Sequence, residues 1–401
     1  MRTSKSFKLL KVFILVVLAS FFSANRISAI PNQDSTSLFI SGRGGYKSYR
    51  IPVLLNTPAG ALIAICEGRK NGPGDSGDID LLLKRSEDGG VTWSKQQIIW
   101  DDSENTCGNP CAVIDQVTGT IWLLMTHNDG EVREEFIVNN KTSNDESGRT
   151  VWVCKSEDDG KTWSVPVNIT KSVKAKDWQW YATGPGIGLQ LKSGPYKDRL
   201  IIPCDHSYPD VKGRVRGGPY EYGSHVIYSD DHGLTWKVGG TVSPGMNECQ
   251  AVELEKKNSM ILLSMRSYSG TGHRAFAYSA DGGETWTPPA DIKDLEDPVC
   301  QASLIRYRRK KGRAPGVLLF LNPTSSTKVR KNMTLKVSLD EGESWPISQQ
   351  LHSGPSAYST MAISKDGAIN CLYEAGDHNA YERITFQKIS ANQIKKLISK
   401  K

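Results

Sequence analysis

The stretch Ser86–Trp93, SEDGGVTW, decides how this chain folds. It recurs as SEDDGKTW (Ser156–Trp163), SDDHGLTW (Ser229–Trp236), SADGGETW (Ser279–Trp286) and SLDEGESW (Ser338–Trp345), always in the frame Ser-x-Asp-x-Gly-x-Thr/Ser-Trp. Five copies of an eight-residue frame are a structural repeat. In each copy the Asp can accept hydrogen bonds from the backbone N–H groups that follow it, and the Gly supplies a positive φ. The Ser and Thr hydroxyls can tie the two ends together. The Trp is an apolar plug expected to lock the turn onto its own sheet. Strand-like runs lead into the copies: Ile79–Leu83, Val151–Cys154, His225–Tyr228, Ala275–Tyr278 and Leu335–Val337. Each copy therefore reads as a hairpin turn inside a repeated β unit, and repeats of this size built from short strands point to propeller blades.

Further strand-like segments, among them Leu62–Cys66, Ile121–Met125, Leu200–Pro203, Met260–Met265, Val317–Leu321 and Ile369–Tyr373, alternate with Gly- and Pro-rich turns. Only Ser390–Lys401 offers a short amphipathic helix. The expected fold is all-β, a six-bladed β-propeller. Ile384–Ile389 would pair with the start of the domain to close it.

Met1–Ala29 has a basic start, a short apolar run (Val12–Phe22) and a small-residue end, the composition of a secretory signal. Its apolar run is shorter than the ~20 residues that a bilayer span needs. The expected organisation is a signal peptide over 1–29 and one catalytic domain over 30–401, exported to the periplasm or beyond the cell. Losing Arg2, Lys5, Lys8, Lys11 and Arg26 lowers the formal charge from +7 to +2. A nearly neutral domain gives no general case for binding nucleic acid. Of eight cysteines, Cys66, Cys154 and Cys371 lie in apolar strand runs and read as buried thiols, and Cys107 with Cys111 is the favoured local pair. No cluster has metal-ligand spacing and no phosphate loop occurs, so neither metal nor cofactor is expected.

In a propeller the functional residues come from many blades and are scattered along the chain. Polar residues in unusual places are Arg50 opening YRIPVLL, Arg69 and Asp75 in CEGRKNGPGDSGDID, Glu248 in NECQAVEL, Arg266 in SMRS, Arg330 in TKVRKNMTL and Tyr358 in GPSAYSTM. One such Arg alone would be an edge charge. Three that converge would suit a carboxylate, which guanidinium groups grip with paired N–H donors. Histidines His127 and His206 read as loop hydrogen-bonders. Trp178, Trp180 and Tyr181 read equally as site wall or packing.

With these residues in hand, the chain resembles the exo-α-sialidases (neuraminidases) of the secreted bacterial type. The resemblance spans Ser37–Gln387 and rests on YRIP (Tyr49–Pro52), the five repeats, and CEGRK, GDIDLLLKRS, GNPC, YATGPG, NECQ, SMRS, AYSTM and CLYEA in that order. It implies that Arg50, Arg266 and Arg330 hold the carboxylate of a sialic acid. It further implies that Tyr358 is the nucleophile, Glu248 the base that activates it and Asp75 the general acid/base, with Asp78 and Asp80 as rivals for that last role. Arg69 would contact the sugar ring and Glu374 would orient Arg50. The implied reaction is retaining hydrolysis of terminal sialic acid from glycoproteins, glycolipids and oligosaccharides, by a monomer. A tyrosine nucleophile suits this substrate, because the anomeric carbon already bears a carboxylate that would repel an anionic attacker. The alternatives are transfer to another glycan, intramolecular release of an anhydro sugar, or a propeller that binds sialoglycans without cutting them. The loops Asn128–Arg149 and Ser207–Gly223 are candidates to rim the site.

Overall fold

The computed structural model describes residues 28–29, 35–139, 148–210, 219–255 and 260–399. Its regular structure is overwhelmingly strand. Hydrogen-bonded ladders join the strands into antiparallel meanders. The first runs Ser48–Asn56, Leu62–Arg69, Ile79–Ser86 and Gln97–Trp100. The next runs Thr106–Ile114, Ile121–Asn128, Thr150–Ser156 and Val167–Asn168. Then come Tyr181–Thr183, Leu200–Pro209, Tyr220–Ser229 and Lys237–Val242, followed by Met246–Glu253, Ile261–Ser267, His273–Ser279 and Ala290–Glu296. Ser303–Arg308, Val317–Pro323 and Lys331–Ser338 lead into the long strand Ile347–Ile363. The far half of that strand starts the last meander, with Ile369–Ala375 and Arg383–Ile389.

The last meander is completed by the start of the domain. Ser35–Ile40 pairs antiparallel with Arg383–Ile389, placing Thr36 opposite Phe386 and Phe39 opposite Ile384, as the sequence anticipated. Of residues 1–29 only Ser28–Ala29 are described, in parallel pairing with Gln349–Gln350; the rest of the expected signal lies outside the described residues. No helix among the described residues is long and apolar enough to cross a membrane. The helix Ala391–Ile398 forms where its pattern places it, with Ser390 and Gln393 in a capping box and Ile394 and Leu397 buried. Two short helices, Glu134–Asn139 and Thr170–Val173, were not anticipated.

The core is a circuit of shared packing. Leu54, Leu62 and Leu82 of the first meander pack with Phe39, Leu372 and Phe386 of the last. Each meander likewise shares an apolar cluster with its successor. Such burial contributes about 25 cal/mol per Å² of apolar surface, and the alternation of each strand supplies two packing faces, one to each neighbour.

The repeated turns are alike in detail. In the first, the Ser86 hydroxyl donates to Asp88 at 2.8 Å and accepts from the Gly90 amide at 2.8 Å. Asp88 also accepts from the Thr92 amide and hydroxyl at 2.9 and 2.5 Å. The same net recurs around Asp158, Asp231, Asp281 and Asp340. Gly233 shows why the frame needs glycine: its φ is +92° and a Cβ there would lie 2.2 Å from the Trp122 ring. The turn is thus pressed against the preceding meander.

The tryptophans correct one expectation. They do not lock each turn onto its own sheet alone; they plug the seam to the meander before it. Trp345 meets both Phe276 and Phe320, Trp93 meets Phe386, and the Trp286 indole donates to Gly240 O at 3.2 Å. The hairpin tip overhangs its sheet, so a side chain at its end reaches the neighbour. Trp345→Ala is expected to lower stability by about 3–5 kcal/mol, read as a fall in denaturant midpoint; a loss under 1 kcal/mol would contradict this seam role.

All eight cysteines are free and buried. That bears out Cys66, Cys154 and Cys371 and overturns the Cys107–Cys111 pair. Both belong to Thr106–Ile114, where they face different clusters. Residues four apart on an extended strand, about 3.3 Å per residue, lie too far apart for a disulfide.

His206 also departs from expectation. It lies on Leu200–Pro209, buried, with its ring stacked on Trp178 at 3.7 Å and its Nδ1 3.0 Å from Nδ1 of His225. Burial pushes His206 down to about 3 and His225 well below the ordinary histidine value. Both folded values lie under the unfolded one, so their contribution is full above about pH 6.5 and is lost as pH falls toward 3. The expected stability slope is up to roughly 1.4 kcal/mol per pH unit for each histidine. Thermal unfolding from pH 7 to 4.5, followed by tryptophan fluorescence, tests this; a flat profile would contradict it. His127, by contrast, bonds a loop as anticipated, at 2.7 Å from Asp102.

Candidate active site

The inner strands carry register breaks at one end, and the expected site residues cluster there. Breaks fall at Arg50/Val53, Gly108/Cys111, Met246/Cys249 and Ser356/Ser359. Bulges of this kind re-aim side chains. Ile51, beside the first, has φ +59°, a costly conformation for a β-branched residue. Its amide is held by Glu374 Oε1 at 2.9 Å.

These breaks converge on a cavity of about 200 Å³ whose lining includes Arg50, Arg69, Asp75, Glu248, Arg266, Arg330 and Tyr358. The residues span more than 300 positions of sequence, yet the fold brings them together. Glu374 lies behind the wall, fully buried. It accepts from Arg50 Nε at 3.1 Å and from the Tyr358 amide at 3.1 Å. One carboxylate therefore holds both the first arginine and the backbone of the tyrosine.

At the centre the Tyr358 hydroxyl donates to Glu248 Oε1 at 2.5 Å. Glu248 Oε2 accepts from Arg266 at 2.9 Å, and the same Arg266 nitrogen lies 3.3 Å from the Tyr358 hydroxyl. The guanidinium carbons of Arg50 and Arg330 stand 4.9 and 5.7 Å from the Tyr358 ring centre. Three cations thus surround one phenol. Arg330 donates only to Val299 O at 2.9 Å and the Tyr381 hydroxyl at 3.3 Å, and pairs with no carboxylate among the described residues. The site has positive charge to spare for an anion. Burial, with Glu248 adding to it, pushes the Tyr358 phenol well above its usual range despite the three arginines. Tyr358 stays protonated at rest, with Glu248 placed to receive its proton.

Asp75 sits on the Gly-rich loop with its side chain 57 % exposed. It accepts from Arg69 at 2.8 Å and from Arg50 at 3.4 Å. Partial burial raises its carboxyl, but Arg69 and Arg50 outweigh that and bring it to about 2. Asp78 and Asp80 face elsewhere: both pair with Lys70, and Asp80 also accepts from Tyr46 at 2.5 Å. Of the three, Asp75 alone lines the cavity. Arg69 is buried beneath the loop, donating to Pro73 O, Gly74 O and Glu67 as well as to Asp75. It anchors the loop besides facing the cavity.

The sequence did not single out Asn109, Glu134, Arg149, Asp205, Asn247, Tyr268 or Tyr381, all of which line the cavity. Trp180 lines it too, with Arg149 stacked 4.1 Å from its ring, whereas Trp178 and Tyr181 pack in a core cluster. Of the loops expected to rim the site, Asn128–Arg149 supplies Glu134 and Arg149; residues 140–147 and 211–218 lie outside the described residues.

The chain is 34% identical over 357 residues to the sialidase of Micromonospora viridifaciens, covering 86% of this chain and 53% of that protein. It is 32% identical over 370 residues to the sialidase of Bacteroides fragilis, covering 88% and 64%. Residues 60–371 match the family model of the BNR repeat-like domain. The chain belongs to the BNR-repeat sialidase family. It thus spans only about half to two thirds of the length of those two family members. Among solved structures of the family, it superposes on the Hadza microbial sialidase Hz136 with a TM-score of 0.76 at 29% identity, over 89% of this chain and 68% of that one.

Proposed function

We propose that this chain is an exo-α-sialidase that releases terminal sialic acid from glycoconjugates with retention of configuration. Its meanders are read as six blades of a propeller, the last closed by Ser35–Ile40. One observation carries the reading: a tyrosine hydroxyl that donates to a carboxylate at 2.5 Å, inside a ring of three guanidinium groups. The names of its relatives support the same chemistry.

In this reading Arg50, Arg266 and Arg330 bind the substrate carboxylate and set C2 of the sugar over Tyr358. Tyr358 Oη attacks C2, its proton passes to Glu248, and Asp75 protonates the departing glycosidic oxygen as the C2–O bond breaks. A water then gives a proton to Asp75 and attacks C2 from the vacated face. The C2–Tyr bond breaks and the phenol recovers its proton from Glu248. Two inversions give net retention. The mature protein is read as an exported monomer that has lost residues 1–29.

Time-resolved proton NMR of the protein acting on a sialyllactose tests this reading. Release of the α-anomer first, followed by slow mutarotation, is expected. An anhydro or transferred sugar as the product would replace hydrolysis by the alternative chemistries of the same site. Binding without release would make the protein a sialoglycan receptor.

A further inference from the structure

The loop that carries Asp75 is fastened at its base by a residue that the reaction itself does not use. Residues 70–78 run from the end of Leu62–Arg69 to the start of Ile79–Ser86, and Gly72, Gly74 and Gly77 leave the segment free to take many conformations. Its ends meet where the Lys70 amide donates to Asp78 O at 3.0 Å. The Lys70 ammonium stands at the same closure, 3.0 Å from Asp78 Oδ1, 3.3 Å from Asp80 Oδ2 and 4.0 Å from Asp101 Oδ2. Asp80 is fully buried, and Lys70 is the one cation paired with it among the described residues. The Asp80 Oδ2 also accepts from Tyr46, whereas its Oδ1 has no hydrogen-bond partner there. A carboxylate removed from water needs such a cation. Burial holds the Asp80 carboxyl above its ordinary value even with Lys70 and Tyr46 beside it. The ammonium therefore joins both ends of the loop to the connection that follows Gln97–Trp100.

We propose that Lys70 is a positioning residue for the general acid: its ammonium, seated among Asp78, Asp80 and Asp101, closes the base of the glycine-rich loop and so sets where the Asp75 carboxyl meets the leaving oxygen. This rests on the sialidase reading. Asp75 lies in the middle of the loop with its side chain more than half exposed, and its partners there are Arg69 and Arg50. Arg69 also holds Pro73 O and Gly74 O, so this part of the loop is tied by a residue that faces the cavity. Lys70 does not line the cavity. It adds the charged fastening at the base, beside the neutral bonds between Gly77 and Thr106 at 3.1 and 2.9 Å. Without it the glycine-rich segment gains freedom, and the Asp75 carboxyl spreads over positions that do not reach the glycosidic oxygen. A misplacement of about 1 Å can cost about 10²-fold in rate.

The test measures kcat/KM for a sialyllactose and for an aryl sialoside with a good leaving group, using the full chain. In Lys70→Met the ratio of the two values, sialyllactose over aryl sialoside, is expected to fall at least about tenfold, because only the first leaving oxygen needs Asp75. Lys70→Arg, which keeps the cation, is expected to retain more of that ratio. In an Asp75→Ala background Lys70→Met should change the ratio no further, since a residue that acts through Asp75 then has nothing to position. An unchanged ratio in Lys70→Met, or a further fall of similar size in the Asp75→Ala background, would show that Lys70 only supports the fold and would overturn the proposal. If Lys70→Met does not fold because Asp80 is left buried without its cation, Lys70→Met combined with Asp80→Asn takes its place and leaves no such charge. The same ratio then decides. A wild type that cleaves neither substrate would defeat the sialidase reading. Hydrogen exchange of residues 70–78 then judges Lys70 separately. Faster exchange in Lys70→Met, confined to that loop, supports the fastening; equal exchange, or exchange raised throughout the chain, overturns it.

Discussion

Tyr358→Phe is expected to lower kcat at least about 10²-fold while leaving the melting temperature nearly unchanged. The ring keeps its packing beside Arg50 and Arg330, and only the hydroxyl that donates to Glu248 and lies beside Arg266 is lost. KM should change little, because the carboxylate is held by the arginines and not by the phenol. Glu248→Gln is expected to lose about 10²–10⁴-fold as the base is removed. The two together should lose no more than the worse single variant, since a base with no nucleophile has nothing to deprotonate. Multiplicative losses, measured with one aryl sialoside, would mean that Tyr358 and Glu248 do not act as a unit.

Asp75→Ala should lose its activity unequally. For a sialyllactose, whose leaving oxygen needs a proton, kcat/KM is expected to fall about 10²–10⁴-fold. For an aryl sialoside with a good leaving group the loss should stay under about tenfold in the first step, because that oxygen departs without help. Equal losses on the two would exclude Asp75 as the general acid. Its pairing makes a further point about pH. Asp75 is brought to about 2 only while Arg50 and Arg69 both face it. A substrate carboxylate that takes over Arg50 removes one of those cations, and the Asp75 carboxyl then rises. A general acid must be protonated, so this rise makes the acid available in the complex and not in the empty site.

How much of this was legible beforehand depends on whether the signal is local. The five turns were readable because each net closes within eight residues, from Ser86 to Trp93 in the first case. The closure of the last meander was readable because Ile384–Ile389 is a late strand-like run and one blade of a propeller usually combines strands from the two ends of its domain. The destination of each Trp was not, since it is set by the neighbouring meander, as with Trp345 between Phe276 and Phe320. The same division holds in the cavity. Arg50, Arg266 and Tyr358 stand in distinctive motifs, and the fold gathers them as their motifs implied. Arg149 opens an ordinary apolar strand, Glu134 lies on a six-residue helix, and Asp205 hides inside PCDHS. Nothing in their surroundings marks them, because the residues that share the cavity with them come from other elements far away in the sequence.

The most direct test of the central claim is mass spectrometry of peptides from protein treated with a fluorinated sialosyl fluoride, a substrate that forms the glycosyl intermediate faster than it releases it. The account predicts one added sialosyl group, carried by the peptide containing Tyr358 and absent from Tyr358→Phe. An adduct on Glu248 or Asp75 would contradict it, as would turnover of ordinary sialosides with no adduct at all.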